Sequence, residues 1–309
     1  MGTRPATTAF VTDPEGFVGA ELVSTLVARG IQVLALTPSQ DAAARVRHAG
    51  ATAVMGDLLT PGRWHDEAAA DWVFHLPPPF AQWQRGSTAV DLTRARVSMD
   101  RNVFEAVAAG TARRVVYVAT VSRGRATNAR PITEDELPAP CDADRWRTSA
   151  PDCLEGYVLA GLPIVTGIPG CIYGSRGWFR EQVVEPVIAG RRVWLTEPAG
   201  QWVSPIHVRD CARALVHLAE RGERGRRYFI ANSESTRIDE LAGTFARIAD
   251  RRLRVWRLPA VARVITRHRA ACAGSDIVLS NIRLRGTGFQ FEYPTVEEGC
   301  RQILRTLHG

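Results

Sequence analysis

The first half of the chain alternates short apolar runs with helical patterns, and that alternation limits its fold more than any other feature. Thr7–Thr12, Ile31–Leu36, Thr52–Met55, Trp72–Leu76 and Arg114–Thr120 read as strands. Between them Phe17–Arg29, Asp41–His48 and Leu92–Ala109 read as helices, the first with an apolar stripe at Val18, Leu22, Leu26 and Val27. Near-continuous apolar strands joined by helices imply parallel βαβ units with both sheet faces covered. We therefore expect an α/β fold with a doubly wound, Rossmann-like parallel sheet, and ligands beyond the carboxyl ends of its strands. After a loop rich in Pro, Asp and Arg (128–149), Leu162–Gly167 adds one more strand. The remainder mixes helices (Glu181–Ala189, Asp210–Glu220, Ile238–Ala249) with short strands (Arg192–Leu195, Arg227–Ile230). This reads as a second, smaller mixed α/β substrate domain. The expected boundaries are 1–171 plus 206–231 for the first domain and 172–205 plus 232–309 for the second.

Composition narrows the chemistry. The chain has 309 residues, 45% of them hydrophobic, enough for a proper core. All 39 basic residues are arginine and none is lysine. That excludes a Schiff-base amine, a P-loop lysine and a lysine-assisted tyrosine. The formal charge of +7 is spread from Arg4 to Arg305. Its densest groups, Arg221–Arg227 and Arg251–Arg257, adjoin helical patterns without an aromatic stacking ladder, so they read as solvated faces and no nucleic-acid partner is expected. Cysteines 141, 153, 171, 211, 272 and 300 show no CxxC and no metal-ligand spacing. They read as reduced thiols with no metal. No signal peptide and no apolar run near ~20 residues is present, so a soluble, cytoplasmic chain without a membrane partner is expected.

Several motifs fall in a fixed order. They are Phe-Val-Thr-x-x-x-Gly-Phe-Val-Gly (10–19), Gly-Asp-Leu (56–58), Phe-His-Leu (74–76), Asn102-Val103 and Val115 to Tyr117 before Ala119-Thr120. Gly161-Leu162-Pro163, Pro169-Gly170-x-x-Tyr173-Gly174, His207-Val208-x-Asp210 and Gly288-Phe289…Tyr293-Pro294…Glu298-Gly299 follow. Together they resemble the extended short-chain dehydrogenase/reductases, the NAD-dependent epimerase/dehydratase group, over residues 7 to 305. The resemblance implies a cofactor loop at Gly16, Phe17, Val18 and Gly19, with Asp57 at the adenine. It also implies a homodimer, and an architectural Tyr173.

The departures from that pattern bear on mechanism. The family's Gly-x-x-Gly-x-x-Gly turn reads Asp13-Pro14-Glu15-Gly16-Phe17-Val18-Gly19 here. A pyrophosphate normally sits on the N–H groups of this helix start. One carboxylate ~4 Å from a phosphate charge costs about 4 kcal/mol at an effective dielectric near 20, roughly a thousandfold in affinity. The alternative is an outward-pointing carboxylate that favours the helix dipole. The second strand ends Leu36-Thr37-Pro38-Ser39-Gln40, with neither an acid for a ribose nor a base for a 2′-phosphate, although Arg45 and Arg47 follow. The family's Tyr-x-x-x-Lys pair is missing: four residues beyond the five tyrosines stand Val121, Gly161, Gly177, Asn232 and Glu297. By spacing the motif belongs between Cys141 and Pro151, with either Trp146 and Ala150 or Ala143 and Arg147 at its two positions.

Candidate catalytic groups are therefore Thr120, at the family's Ser/Thr position, and Ser122, Asp13, Arg123, Arg147 and Trp146. Candidate pocket residues are His75, Trp146, Tyr173 and Trp178. His75 also reads as a core histidine, Ser122 and Arg123 as turn residues, and Asp210 as a helix N-cap. Eight tryptophans, Trp83 and Trp202 among them, suit either core filling or an apolar cleft for a flat hydrophobic ligand. Three readings follow. One is a non-redox tailoring enzyme of secondary metabolism, an isomerase, cyclase, eliminating enzyme or hydrolase for a small aromatic substrate, needing no NAD(P) or binding it weakly. Another is an NAD(P)-dependent reductase or epimerase with a substitute acid. The third is a ligand-binding or regulatory pseudoenzyme.

Overall fold

The computed structural model describes residues 8–76, 89–120, 130–137, 151–195, 200–257 and 277–308. The chain forms two units. One comprises Met1–Thr120, Asp142–Ile168 and Ala212–Tyr228, and the other Val121–Cys141, Pro169–Cys211 and Phe229–Gly309. Relative to the boundaries expected from the sequence, 121–141, 169–171, 206–211 and 229–231 group with the second unit.

In the first unit β1 (Thr8–Val11), α1 (Phe17–Ala28), β2 (Gln32–Thr37), α2 (Gln40–His48), β3 (Thr52–Met55), α3 (Trp64–Glu67), β4 (Trp72–His75), α4 (Ala89–Ala109) and β5 (Arg114–Val118) follow in order. After the short β6 (Pro131–Ile132), which belongs to the second unit, come α5 (Pro151–Leu159) and β7 (Ile164–Pro169). With β12 (Arg227–Ile230) they make a seven-stranded sheet of order β12-β7-β5-β4-β1-β2-β3. The pairs β1–β2, β2–β3, β1–β4, β4–β5 and β5–β7 are parallel, as the strand–helix alternation predicts. Successive strands add outward from β1 in both directions, so the order reverses between β1 and β4. That reversal is where ligands bind in open α/β sheets.

Local chemistry sets these elements. Leu22, Val23 and Leu26 put a buried stripe on α1, and Gly30 ends it at φ +73° with its N–H on the Val27 carbonyl at 2.9 Å. Ser39 caps α2 by accepting the Ala42 N–H at 3.2 Å. Met99, Val103, Phe104 and Val107 turn α4 onto the sheet, where the core also gathers Phe10, Trp64, Val73, Val115 and Ile164. Phe10 and Trp64 stack at 6.1 Å. Burying groups of this size contributes about 2–3 kcal/mol each.

The second unit holds four two-stranded sheets. They pair β8 (Cys171–Tyr173) with β11 (Pro205–His207), β9 (Val193–Leu195) with β14 (Val255–Arg257), β10 (Trp202–Val203) with β13 (Thr236–Arg237), and β6 with β15 (Val278–Leu279). Its core is built from Tyr173, Phe179, Val183, Leu241, Phe245 and Ile303. All of these strands have only two or three residues, too short for a periodicity to show. The helix expected at Glu181–Ala189 starts earlier, at Gly177, and carries a π-helical turn over Arg180–Val184 before Glu185–Ile188. Pro186 follows that wide turn and has no N–H to return to the Gln182 carbonyl.

Two expectations need correction. Asp210 is not an N-cap: it is the third residue of the helix Val208–Arg221, and its carboxylate accepts the backbone N–H of Glu292 at 2.9 Å and of Tyr293 at 2.7 Å. Cys211 and Cys300 are free and buried, but Cys171 is disulfide-bonded, so the six thiols are not all reduced. Among the described residues no helix is long and apolar enough to cross a membrane.

Candidate functional site

The carboxyl ends of β1 and β4 bring Thr12, Asp13, His75 and Leu76 together. Thr12 donates its N–H to the Phe74 carbonyl at 3.2 Å, continuing the β1–β4 ladder one step past the strand. Its hydroxyl lies 2.9 Å from the Leu76 carbonyl and 3.2 Å from His75 Nδ1, and it accepts the Leu76 N–H at 3.0 Å.

His75 is wholly buried, so it is a core residue and not a pocket wall. Its Nε2 sits 2.8 Å from Asp100 Oδ1. The same carboxylate accepts the Arg96 Nε–H at 3.1 and 3.2 Å and the Tyr117 hydroxyl at 3.1 Å, while Arg96 Nη2 also donates to the Tyr117 oxygen. Burial pushes the His75 imidazole below its ordinary value, against the opposing pull of Asp100. Burial also resists the charge on Asp100, but Arg96 outweighs it, with help from His75 and Tyr117, and holds the carboxyl below the usual range. The result is a neutral imidazole donating to a carboxylate whose counter-ion is Arg96. An ionised carboxylate only accepts, which places the imidazole hydrogen on Nε2. Sequence reasoning missed Arg96, Asp100 and Tyr117 as a unit. The available signal was an Arg and an Asp one helical turn apart, next to the apolar positions Met99 and Val103 of α4.

Asp13 follows directly on this cluster. It is half-buried, and its carboxylate faces the Gly16 backbone at the start of α1. A Cβ added to Gly16 would fall 2.0 Å from Asp13 Oδ2, so the carboxylate lies over the Gly16 backbone. Burial raises the Asp13 pKa to about 6, opposed by the Gly16 N–H and reinforced by Glu15. Glu15 itself is paired with Arg45 of α2. Arg45, a sequence candidate for a cofactor phosphate, therefore spends its charge on the same turn. Because the folded value lies above the unfolded 3.8, the fold binds the extra proton between about pH 4 and 6. Asp13 thus weakens stability as pH rises through that window. For Asp13→Asn we expect a gain of about 1–2 kcal/mol at pH 8, after discounting for partial exposure, that vanishes near pH 4. Urea melts of both proteins at the two pH values measure it.

The other sequence candidates fall as follows. Phe17 and Val18 are the first residues of α1, and Gly19 packs its backbone against the Asp13 carbonyl. Asp57 is exposed just beyond β3, with Oδ1 accepting the Leu59 N–H at 2.9 Å, and Asn102 holds that loop by donating to the Leu58 carbonyl at 2.8 Å. Thr120 is exposed, two residues past the end of β5. Tyr173 is wholly buried, 5.6 Å from Phe179, so it too is core and not pocket wall. Trp178 is half-buried on the same core and donates to the Ile172 carbonyl at 2.6 Å. Trp202 lies under the Arg237 guanidinium at 5.2 Å. Ser122, Arg123, Trp146, Arg147 and Trp83 lie outside the described residues. Among the described residues no three His, Cys, Asp or Glu side chains form a metal-ligand set.

The profile of the NAD dependent epimerase/dehydratase family matches residues 9–231. The chain belongs to this family. A ketoreductase of Stigmatella aurantiaca named for 4-hydroxy-2-methyl-3-oxo-4-farnesyl-3,4-dihydroquinoline-1-oxide is 29% identical over 236 residues, 72% of this chain and 67% of the relative. Solved epimerases share the fold. The UDP-glucuronic acid 4-epimerase of Bacillus cereus, solved with UDP-glucuronic acid and NAD, superposes with a TM-score of 0.78 at 15% identity, over 97% of this chain and 99% of its own. The UDP-glucose 4-epimerase of Thermus thermophilus, solved with NAD, gives 0.78 at 19% identity over 98% and 99%.

Family membership raises the question of whether the residues present fit a dinucleotide. Asp57, which the resemblance assigns to the adenine, and the loop behind it are in place. On the phosphate side the fit fails: an ionised Asp13 carboxylate lies over Gly16, on the amide that leads into α1.

Proposed function

We propose that this member of the epimerase/dehydratase family is a non-redox tailoring enzyme for a small hydrophobic or aromatic metabolite. Its chemistry would be isomerisation, cyclisation, elimination or hydrolysis. One observation carries the reading: all five tyrosines are engaged in packing, in a chain without lysine. Tyr117 is locked between Asp100 and Arg96, Tyr173, Tyr228 and Tyr293 are buried, and Tyr157 packs at 4.9 Å on Phe104. No phenol–amine pair is available to pass a proton to a carbonyl. The groups at the ligand edge of the sheet are the Thr120 hydroxyl and the Asp13 carboxyl. A carboxyl with a pKa of about 6 is suited to take and return a proton near neutral pH. A prenylated 3-oxo-3,4-dihydroquinoline, the substrate class in the name of the Stigmatella relative, is the first probe. Incubated with purified protein without nicotinamide, it should yield an isomeric or hydrated product. A product two hydrogens richer, formed only as NADPH is consumed, overturns the reading.

A second reading, ketone reduction with NAD(P)H, is favoured by the ketoreductase relative and by the retained Gly16, Gly19 and Asp57. The same incubation separates the two.

A further inference from the structure

We propose that Asp13 is a built-in anion that occupies the pyrophosphate seat at the start of α1, so that a dinucleotide enters only when this side chain is removed or discharged. The inference concerns binding at the site just described and stands whether or not the catalytic reading holds.

Three features of the turn support it. The Gly16 N–H, the amide nearest the helix start, acts on the Asp13 carboxylate strongly enough to lower its pKa, so part of its pull on a phosphate is spent within the chain. Its Oδ2 lies where a Cβ on Gly16 would be, so the space that the glycine opens above the backbone is filled from within the chain. Pro14 supplies no N–H to make up for it. The charges facing Asp13 act in the same direction. Glu15 adds a second carboxylate to the turn, and Arg45 beside it is already paired with Glu15. On the β4 side His75 is neutral and tied to Asp100, so it offers no positive charge. A phosphate entering this turn therefore meets a like charge that neither Arg45 nor His75 offsets.

The position carries a mechanism for its own reversal. Asp13 projects from a turn and not from a strand, so losing its side chain removes the occupant without emptying the sheet core. Asp13→Gly should restore both the space and the N–H, and Asp13→Asn should remove only the charge.

The test is binding, read by quenching of tryptophan fluorescence and by calorimetry with NADH, ADP-ribose and adenosine as probes. At pH 8 the wild-type protein should bind NADH and ADP-ribose at least about a hundredfold more weakly than Asp13→Gly, a conservative reading of the thousandfold repulsion at ~4 Å. Asp13→Asn should fall between them. Adenosine, which carries no phosphate, should bind all three proteins alike. Asp13→Asn keeps the shape and cap of the native turn, so it tests the charge even if the glycine variant melts early. Micromolar NADH binding by wild type overturns the proposal, as does a folded Asp13→Asn that binds ADP-ribose no better than wild type. NADPH-dependent turnover would instead sink the catalytic reading and leave these binding ratios to be judged separately.

Discussion

Asp100→Ala should lose about 3–5 kcal/mol of stability. The reason lies in what remains. Arg96 is buried, and without Asp100 its charge has no counter-ion in the cluster. The His75 Nε2–H and the Tyr117 hydroxyl lose their acceptor in the same step. An unsatisfied buried donor costs about 1–3 kcal/mol, and a stranded charge more. The contrasting variant is Arg96→Met with Asp100→Leu, which removes both charges together and should recover most of the loss. Urea denaturation of the single and double variants measures both. A loss below about 1 kcal/mol for Asp100→Ala would mean that the cluster is wetter than its geometry shows. Because α4, β4 and β5 meet at these four side chains, the loss should also loosen the carboxyl edge of the sheet.

Gly19→Ala should cost about 3 kcal/mol or more, because its Cβ would lie 1.7 Å from the Asp13 carbonyl oxygen and 2.8 Å from its carbon. Those are backbone atoms. They can retreat only if the β1–α1 turn opens, which separates helix from strand. Gly16→Ala makes a useful comparison. Its Cβ meets only Asp13 side-chain atoms, at 2.0 Å from Oδ2, and a side chain can rotate away. That variant should cost far less, and in an Asp13→Gly background close to nothing. Thermal melts of the three proteins decide it. Equal losses at positions 16 and 19 would show that the turn yields as a whole.

Much of this was legible in the residues. The strand–helix alternation predicted β1 to β5 and β7 to within a few residues, because a strand buried on both faces is a continuous apolar run. The turn Asp13–Gly19 announced its departure from a dinucleotide motif, since the glycines of such turns answer to local sterics. The second unit was harder to read. Its strands of two or three residues are set by partners far along the chain, as when Pro205–His207 pairs with Cys171–Tyr173. Asp210 looked like a helix cap because a cap is a local feature. Its hold on Glu292 and Tyr293 spans about eighty residues, a separation the sequence does not encode by spacing.

The division between sequence and tertiary structure is sharpest at the site. The absence of lysine, and of a tyrosine followed four residues on by any cation, is a property of the sequence and removes the usual proton-transfer pair outright. Where the remaining charges sit is not. Read alone, His75 is a core histidine and Arg96 one more arginine on a helix. Only the packing of α4 on β4 and β5 made them a sealed cluster, because burial forces each charge to find a partner. The direction of the Asp13 carboxylate was likewise open from sequence, inward on the seat or outward to solvent. The three-dimensional turn decided it, by laying that carboxylate over the Gly16 backbone and half burying it.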